Sequence, residues 1–178
     1  MKTQQEMWIR RGGAIAAAVV VVVIAYLLIS GGDDNGSGTG EPESADATGI
    51  QQFAADAGHP VYWAGPTGAE SFEWTELADG RVYIRYLTGG AAAGDPRPLY
   101  LTVATYPVGD GVKAVKSAAK SAGNTTIQVP GGGTALVSKG STSVYLAYPG
   151  SEYQIEVFDP DPARARQVAK SGRIQPVS

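Results

Sequence analysis

The chain contains no cysteine. That absence removes disulfides, thiolate zinc sites, iron–sulfur clusters, thiol nucleophiles and lipid attachment through cysteine, and it leaves the redox compartment unmarked. There is one histidine, His59, so multi-histidine metal sites are excluded as well. Neither a Gly-x-Ser-x-Gly elbow nor a Gly-Lys-Ser/Thr phosphate loop occurs, so the glycine runs at 89–94 and 131–133 read as turns or mobile loops. No cofactor is implied.

Excess positive charge is missing too. Of the 14 bases and 17 acids, three bases (Lys2, Arg10, Arg11) and one acid (Glu6) precede Gly31. Five acids (Asp33, Asp34, Glu41, Glu43, Asp46) and no base lie in 31–47, which leaves 11 of each from Thr48 onward. A globular part without net positive charge is poorly suited to nucleic acid, and none is expected as a partner.

What is present is one long apolar run. Residues 12–30 read "GGAIAAAVVVVVIAYLLIS", and 19 helical residues cover roughly 28 Å, close to a bilayer hydrocarbon core. A cleaved signal peptide is the rival reading, since Ser30, Gly31 and Gly32 offer small residues for cleavage. The length of the run and the absence of an Ala-x-Ala site after it favour an uncleaved anchor. Arg10 and Arg11 before the span, against "GGDD" after it, place the N-terminal side in the cytoplasm. The expected organisation is a cytoplasmic stub at 1–11, a transmembrane anchor at 12–30, an acidic flexible linker at 31–47 and an extracytoplasmic domain at 48–178, on a plasma membrane.

Within that domain one pattern is stated twice. "RVYIRYL" (81–87) matches "SVYLAYP" (143–149), each preceded by a strand-like run and followed by another, Leu99 to Tyr106 and Tyr153 to Phe158. Each then enters a helix through an acid, Asp110 or Asp161, the latter followed by Pro162 in the first turn. Both helices contain Ala-Lys-Ser and stop at a glycine, Gly123 and Gly172. A shorter echo precedes them: Thr48 and Gln51 form a capping box, a helix ends at Gly58, and "HPVYW" follows as a strand. The expectation is an α+β fold, an antiparallel sheet with helices packed on one face, built by duplication of a β-β-β-α unit over about 70–123 and 134–172.

Alternation assigns Val82, Ile84, Tyr86, Val144, Leu146, Tyr148, Leu101, Val103, Ile155 and Val157 to the core. Tyr83, Arg85 and Tyr145 then fall on the other sheet face, where two repeat-related tyrosines form a candidate binding surface for a sugar or peptide, although tyrosines on strands more often make cross-strand pairs with no ligand. Lys113, Lys116, Lys120, Arg164, Arg166 and Lys170 lie on the two repeat helices, whereas Glu70, Glu73, Glu76, Glu152 and Glu156 lie on strands. A dipolar domain follows, whose basic helical face would suit an anionic lipid, a glycan polymer or an acidic envelope protein; a solvated helix exterior is the plainer account.

The remaining candidates for chemistry are weak. His59 sits between a helix-ending glycine and a proline, a turn setting. The acids of "DPDP" (159–162) lack the further ligands of a calcium loop, and capping explains them. Asn124 opens a glycosylation sequon, "NTT". Pairs drawn from Glu73 or Glu76 with Glu152 or Glu156 would serve a carboxylate-dependent hydrolase of glycan or lipid if they stood about 5 to 9.5 Å apart.

At "GHPVYWAG", "GRVYIRYL", "TSVYLAYPG" and "YQIEVFDP", over roughly Ile50 to Val177, the chain resembles a group of small, Ala/Gly-rich, single-pass membrane proteins of high-GC actinobacteria. That group has no assigned activity, so the resemblance implies a bacterial cell-envelope setting and assigns no residue a role. The function expected is binding, scaffolding or sensing at the envelope rather than catalysis.

Overall fold

The structure, a computed structural model, describes residues 40–178. The stub, the anchor and the linker up to residue 39 lie outside the described residues. No helix among the described residues is long and apolar enough to cross a membrane.

The described residues form a mainly antiparallel α+β fold with three α-helices. In chain order the elements are β1 (Glu43–Ala45), α1 (Ala47–Asp56), β2 (Tyr62–Trp63), β3 (Ser71–Glu76), β4 (Val82–Leu87), β5 (Thr102–Pro107), α2 (Gly111–Ala118), β6 (Asn124–Val129), β7 (Gly133–Ser138), β8 (Ser143–Ala147), β9 (Tyr153–Phe158), α3 (Pro162–Lys170) and β10 (Gln175–Pro176). Eight strands make one sheet in the order β1-β3-β4-β5-β9-β8-β7-β6, and β10 pairs with β2 in a separate ribbon. The order reads alike from both edges: two four-stranded meanders meet where β5 pairs with β9, from Thr102 opposite Phe158 to Pro107 opposite Tyr153.

Register settles the two faces. Trp74, Ile84 and Val103 are neighbours on one face, as are Val157 and Val144, and Ile155, Leu146 and Ala135. This face carries the main core. Ile50, Ala165, Ala169 and Ile174 close it, with Phe53 stacked on Trp74 at 3.8 Å between ring centroids. The β2 segment is tied across the same face by two hydrogen bonds: Tyr62 N–H donates to Thr105 Oγ1 (3.0 Å) and Ala64 N–H to Tyr86 Oη (2.6 Å).

The helices are not gathered on one face. Val115 of α2 packs on Leu136, Tyr145 and Ala147, which alternate with the residues under α3, so α2 covers the opposite face. The strand exits decide this. Because β5 and β9 run antiparallel, their chains leave at opposite ends of the sheet. At the β9 exit the second face is already occupied by the 88–100 loop, bonded to Arg85, and α3 covers the apolar first face instead. The basic residues are split accordingly: Lys113, Lys116 and Lys120 stand exposed on one side, Arg164 and Lys170 on the other.

The expected caps form on both repeat helices. Asp110 accepts from Lys113 N–H (2.9 Å) and Asp161 from Ala163 N–H (2.8 Å). On α1 the cap differs: Asp46, not Thr48, accepts from Gly49 N–H (2.8 Å). With Glu43–Ala45 paired to β3, the end of the expected linker therefore belongs to the fold. Strands β1, β6 and β10 add to the pattern read from sequence.

Ile84 and Leu146 are fully buried at related positions of the main core, so either changed to Ala should lower unfolding free energy by about 2–5 kcal/mol. Lys116→Ala should shift it by less than about 0.5 kcal/mol, and denaturant titration checks the contrast. Gly111 starts α2 so close to β9 that a Cβ there would meet the Tyr153 carbonyl oxygen at 2.0 Å and Ala147 Cβ at 2.8 Å. Gly111→Ala should destabilise by roughly 1–3 kcal/mol, measured in the same way.

Candidate functional site

The second sheet face is polar yet buried. Tyr83, Arg85 and Tyr145 lie on it as alternation requires, but they are 5%, 3% and 9% exposed, so they do not form the open binding surface expected of them. The reason is cover from both sides: α2 lies over Tyr145, and the 88–100 loop lies over Arg85.

Two polar clusters fill this face. In the first, Arg85 Nη1 donates to both Glu73 oxygens (2.8 and 3.0 Å) and Nη2 donates to the carbonyls of Asp95 and Arg97 (2.7 and 3.1 Å). Gly94 N–H adds a bond to Glu73 Oε2 (2.7 Å), and the Arg85 guanidinium lies 5.1 Å from the Tyr100 ring centroid. The glycine-rich segment at 89–94 is thus a lid on a buried ion pair. In such a setting each charge depends on the other, since a lone buried ion loses its hydration with nothing in return.

The second cluster surrounds Glu156, which is 1% exposed. Its Oε1 accepts from Ser143 Oγ (2.5 Å) and Tyr145 Oη (3.2 Å), and its Oε2 from Tyr106 Oη (2.6 Å). Burial pushes the Glu156 carboxyl above the usual range, against the three hydroxyls, which pull it down. Burial, followed by the Glu156 charge, pushes the Tyr106 and Tyr145 phenols up as well. In register, Tyr83, Ala104, Glu156 and Tyr145 make one row across β4, β5, β9 and β8. Tyr83 meets Tyr106 edge-on, with centroids 5.9 Å apart, and its hydroxyl is buried.

Above this row opens a depression of about 320 Å³ lined by Asp79, Arg81, Tyr106, Pro107, Val108, Tyr145 and Gln154. Its rim charges satisfy each other: Arg81 Nε donates to Asp79 Oδ2 at 2.7 Å. Those hydrogen bonds hold the Asp79 carboxyl below the usual range despite its partial burial. Val108 is one of two large apolar side chains left exposed among the described residues.

The other candidates are not brought together. Strands β3 and β9 are separated by β4 and β5, three interstrand spacings or about 14 Å between backbones, so Glu73 and Glu76 stand on a strand that does not neighbour the one bearing Glu156. Glu73 and Glu156 are also saturated within their own clusters, and Glu152 is exposed. His59 is half-buried with Nε2 3.4 Å from Glu76 Oε1, its ring 6.0 Å from that of Tyr153. Asp159 is buried beside Arg164 (3.3 Å) and accepts from Asp161 N–H (2.9 Å). No cluster of three or more metal-ligating side chains occurs among the described residues. Asn124 uses its amide locally, donating to the Ala118 carbonyl (2.9 Å) and accepting from Ser138 Oγ.

No protein family, curated protein or solved structure matches the chain.

Two predictions follow from the clusters. Arg85→Met should cost about 3–5 kcal/mol, because it strands the buried Glu73 charge, whereas Glu73→Gln with Arg85→Met should recover part of that loss in a double-mutant cycle. Glu156 binds its proton more tightly folded than unfolded, so its contribution is full below the unfolded carboxyl range and is lost as pH rises through the elevated folded value. Stability of the unchanged chain should therefore fall relative to Glu156→Gln as pH is raised from about 4.5 toward neutrality, read from melting temperatures in a pH series.

Proposed function

We propose that this chain is an anchored receptor-like domain of a bacterial cell envelope, with residues 12–30 in the plasma membrane, the N-terminal stub cytoplasmic and the domain from residue 40 onward outside, and that it works by binding rather than by catalysis. The observation that carries the reading is the contrast on the second sheet face. The groups capable of acid–base work, Glu73 and Glu156, are locked in internal bonds, while the depression beside them presents Val108, Pro107 and tyrosine with a self-neutralised rim. Such a surface recognises a ligand through shape and hydrogen bonds and offers no free nucleophile or base. We also read the palindromic strand order as a duplication of a four-stranded unit, whose seam is where the depression lies.

Full-length protein should stay with membranes in high salt, since inserted apolar chain is insensitive to screening, and external protease should reach the C-terminal domain in intact spheroplasts. Recovery of a soluble form beginning near Asp33, or full protection from the protease, would overturn the topology. Val108→Glu puts a charge into the depression at an exposed position. It should abolish retention of the envelope component that co-purifies with the unchanged chain, with a stability change within about 0.5 kcal/mol.

A further inference from the structure

We propose that α2 and the adjoining β7–β8 turn form a docking face for an anionic phospholipid surface, so that the domain lies with this side against the membrane that holds its anchor. This rests on the reading of residues 12–30 as that anchor. Charge is divided along the sheet. Residues 40–109, which supply β1 to β5, carry nine acids and three bases, whereas residues 110–178, which supply α2, β6 to β9 and α3, carry five acids and eight bases. Strand order sets these halves side by side, so the domain is acidic toward its β1 edge and basic toward its β6 edge.

Ion pairing sharpens the division. In the acidic half every arginine has a partner: Arg81 pairs with Asp79, Arg85 with Glu73 and Arg97 with Asp95. In the basic half Arg164 pairs with Asp159, but Lys113, Lys116, Lys120 and Lys139 are exposed and make no ion pair among the described residues. These four share one side. Lys113, Lys116 and Lys120 follow at spacings of three and four along α2 and the turn after it, and Asn124 ties that turn to Lys139 by bonding both the Ala118 carbonyl and Ser138 Oγ. Asp110 and Glu152 stand where α2 begins, away from Lys120 and Lys139. The bases of α3 lie on the first face, which also carries the acids of α1 and its cap, Asp46 and Asp56.

The chemistry of the patch selects the occupant. Lysine ammonium groups are hydrated point charges on flexible stems, suited to a plane of many phosphates rather than to one fixed carboxylate. The apolar residues of α2 and its turn, Val112, Val115, Ala118 and Ala119, pack toward the sheet, so the contact is with headgroups and is screened by salt. Reach agrees. Gly40 N–H donates to the Glu76 carbonyl (3.0 Å), so the chain enters the fold at the β1 edge, and residues 31–39 span at most about 30 Å. Seven interstrand spacings separate β1 from β6, about 33 Å. The anchor therefore holds the domain within about its own width of the lipid, and the charge division decides which side touches.

The absence of cysteine makes any introduced thiol the sole labelling site. Full-length protein carrying a fluorophore through Ser117→Cys on α2, or through Gln167→Cys on α3, is placed in phosphatidylcholine nanodiscs with a nitroxide-headgroup quencher, with and without phosphatidylglycerol. The label at position 117 should be quenched in the anionic discs, released in high salt while the chain stays in the disc, and quenched more than the label at position 167. Lys113→Gln, Lys116→Gln and Lys120→Gln together should lower the docked-to-free ratio by roughly 3- to 5-fold per lysine. Equal quenching in neutral discs, equal quenching at both positions, or none at position 117 in discs that retain the chain overturns the docking face and leaves the anchor standing. An acidic envelope protein lost in the triple variant without any lipid-dependent quenching would assign the lysines to that protein and overturn the lipid proposal. Discs that fail to retain the chain overturn the anchor and the docking face together.

Discussion

The pairing of β5 with β9 is the constraint on which the rest of the structure depends. It joins strands about fifty residues apart through six residue pairs, and without it each meander would leave one long edge and half a core open to water. The seam also fixes the helices. Antiparallel partners leave the sheet at opposite ends, so Asp110 starts α2 toward β9 and β8, whereas Asp161 starts α3 at the far end. Gly111 shows how tight that arrangement is, because α2 begins where β9 leaves no room for a side chain.

Burial on both faces of the sheet has an energetic consequence. The first face is apolar and gains free energy by excluding water in the ordinary way. The second holds Glu73, Arg85, Thr102, Ser143 and Glu156 out of solvent, so each must be bonded internally or lose more than it contributes. All five are. Satisfied clusters rigidify the surrounding sheet.

Much of the fold was legible as local pattern. Period-two alternation placed Val82, Ile84, Val103, Leu146 and Ile155 on one face, and the caps at Asp110 and Asp161 follow from side-chain oxygens next to free helix N–H groups. Strands β1 and β6 were not legible, because "ESA" and "NTTIQV" carry little alternation and become strands only through the partner beside them. Asp46 took the α1 cap from Thr48 for a related reason. Once Glu43–Ala45 pairs with β3, the chain arrives at the helix one residue pair earlier than the capping box implies.

The second face was misjudged on one assumption, that polar residues opposite a core meet water. Tyr83, Arg85 and Tyr145 were assigned to the right face from their spacing alone, since side-chain alternation is a local property of an extended backbone. Their exposure is not local. It depends on a loop closing over Arg85 and a helix crossing Tyr145, both from other stretches of chain. Strand identity, helix caps and the two-sidedness of the sheet are therefore written in the order of residues, because dihedral preference and nearest-neighbour bonding act within a few positions. Which helix covers which face, which acids are buried, and where a depression remains depend on long-range packing, which only the folded chain brings about.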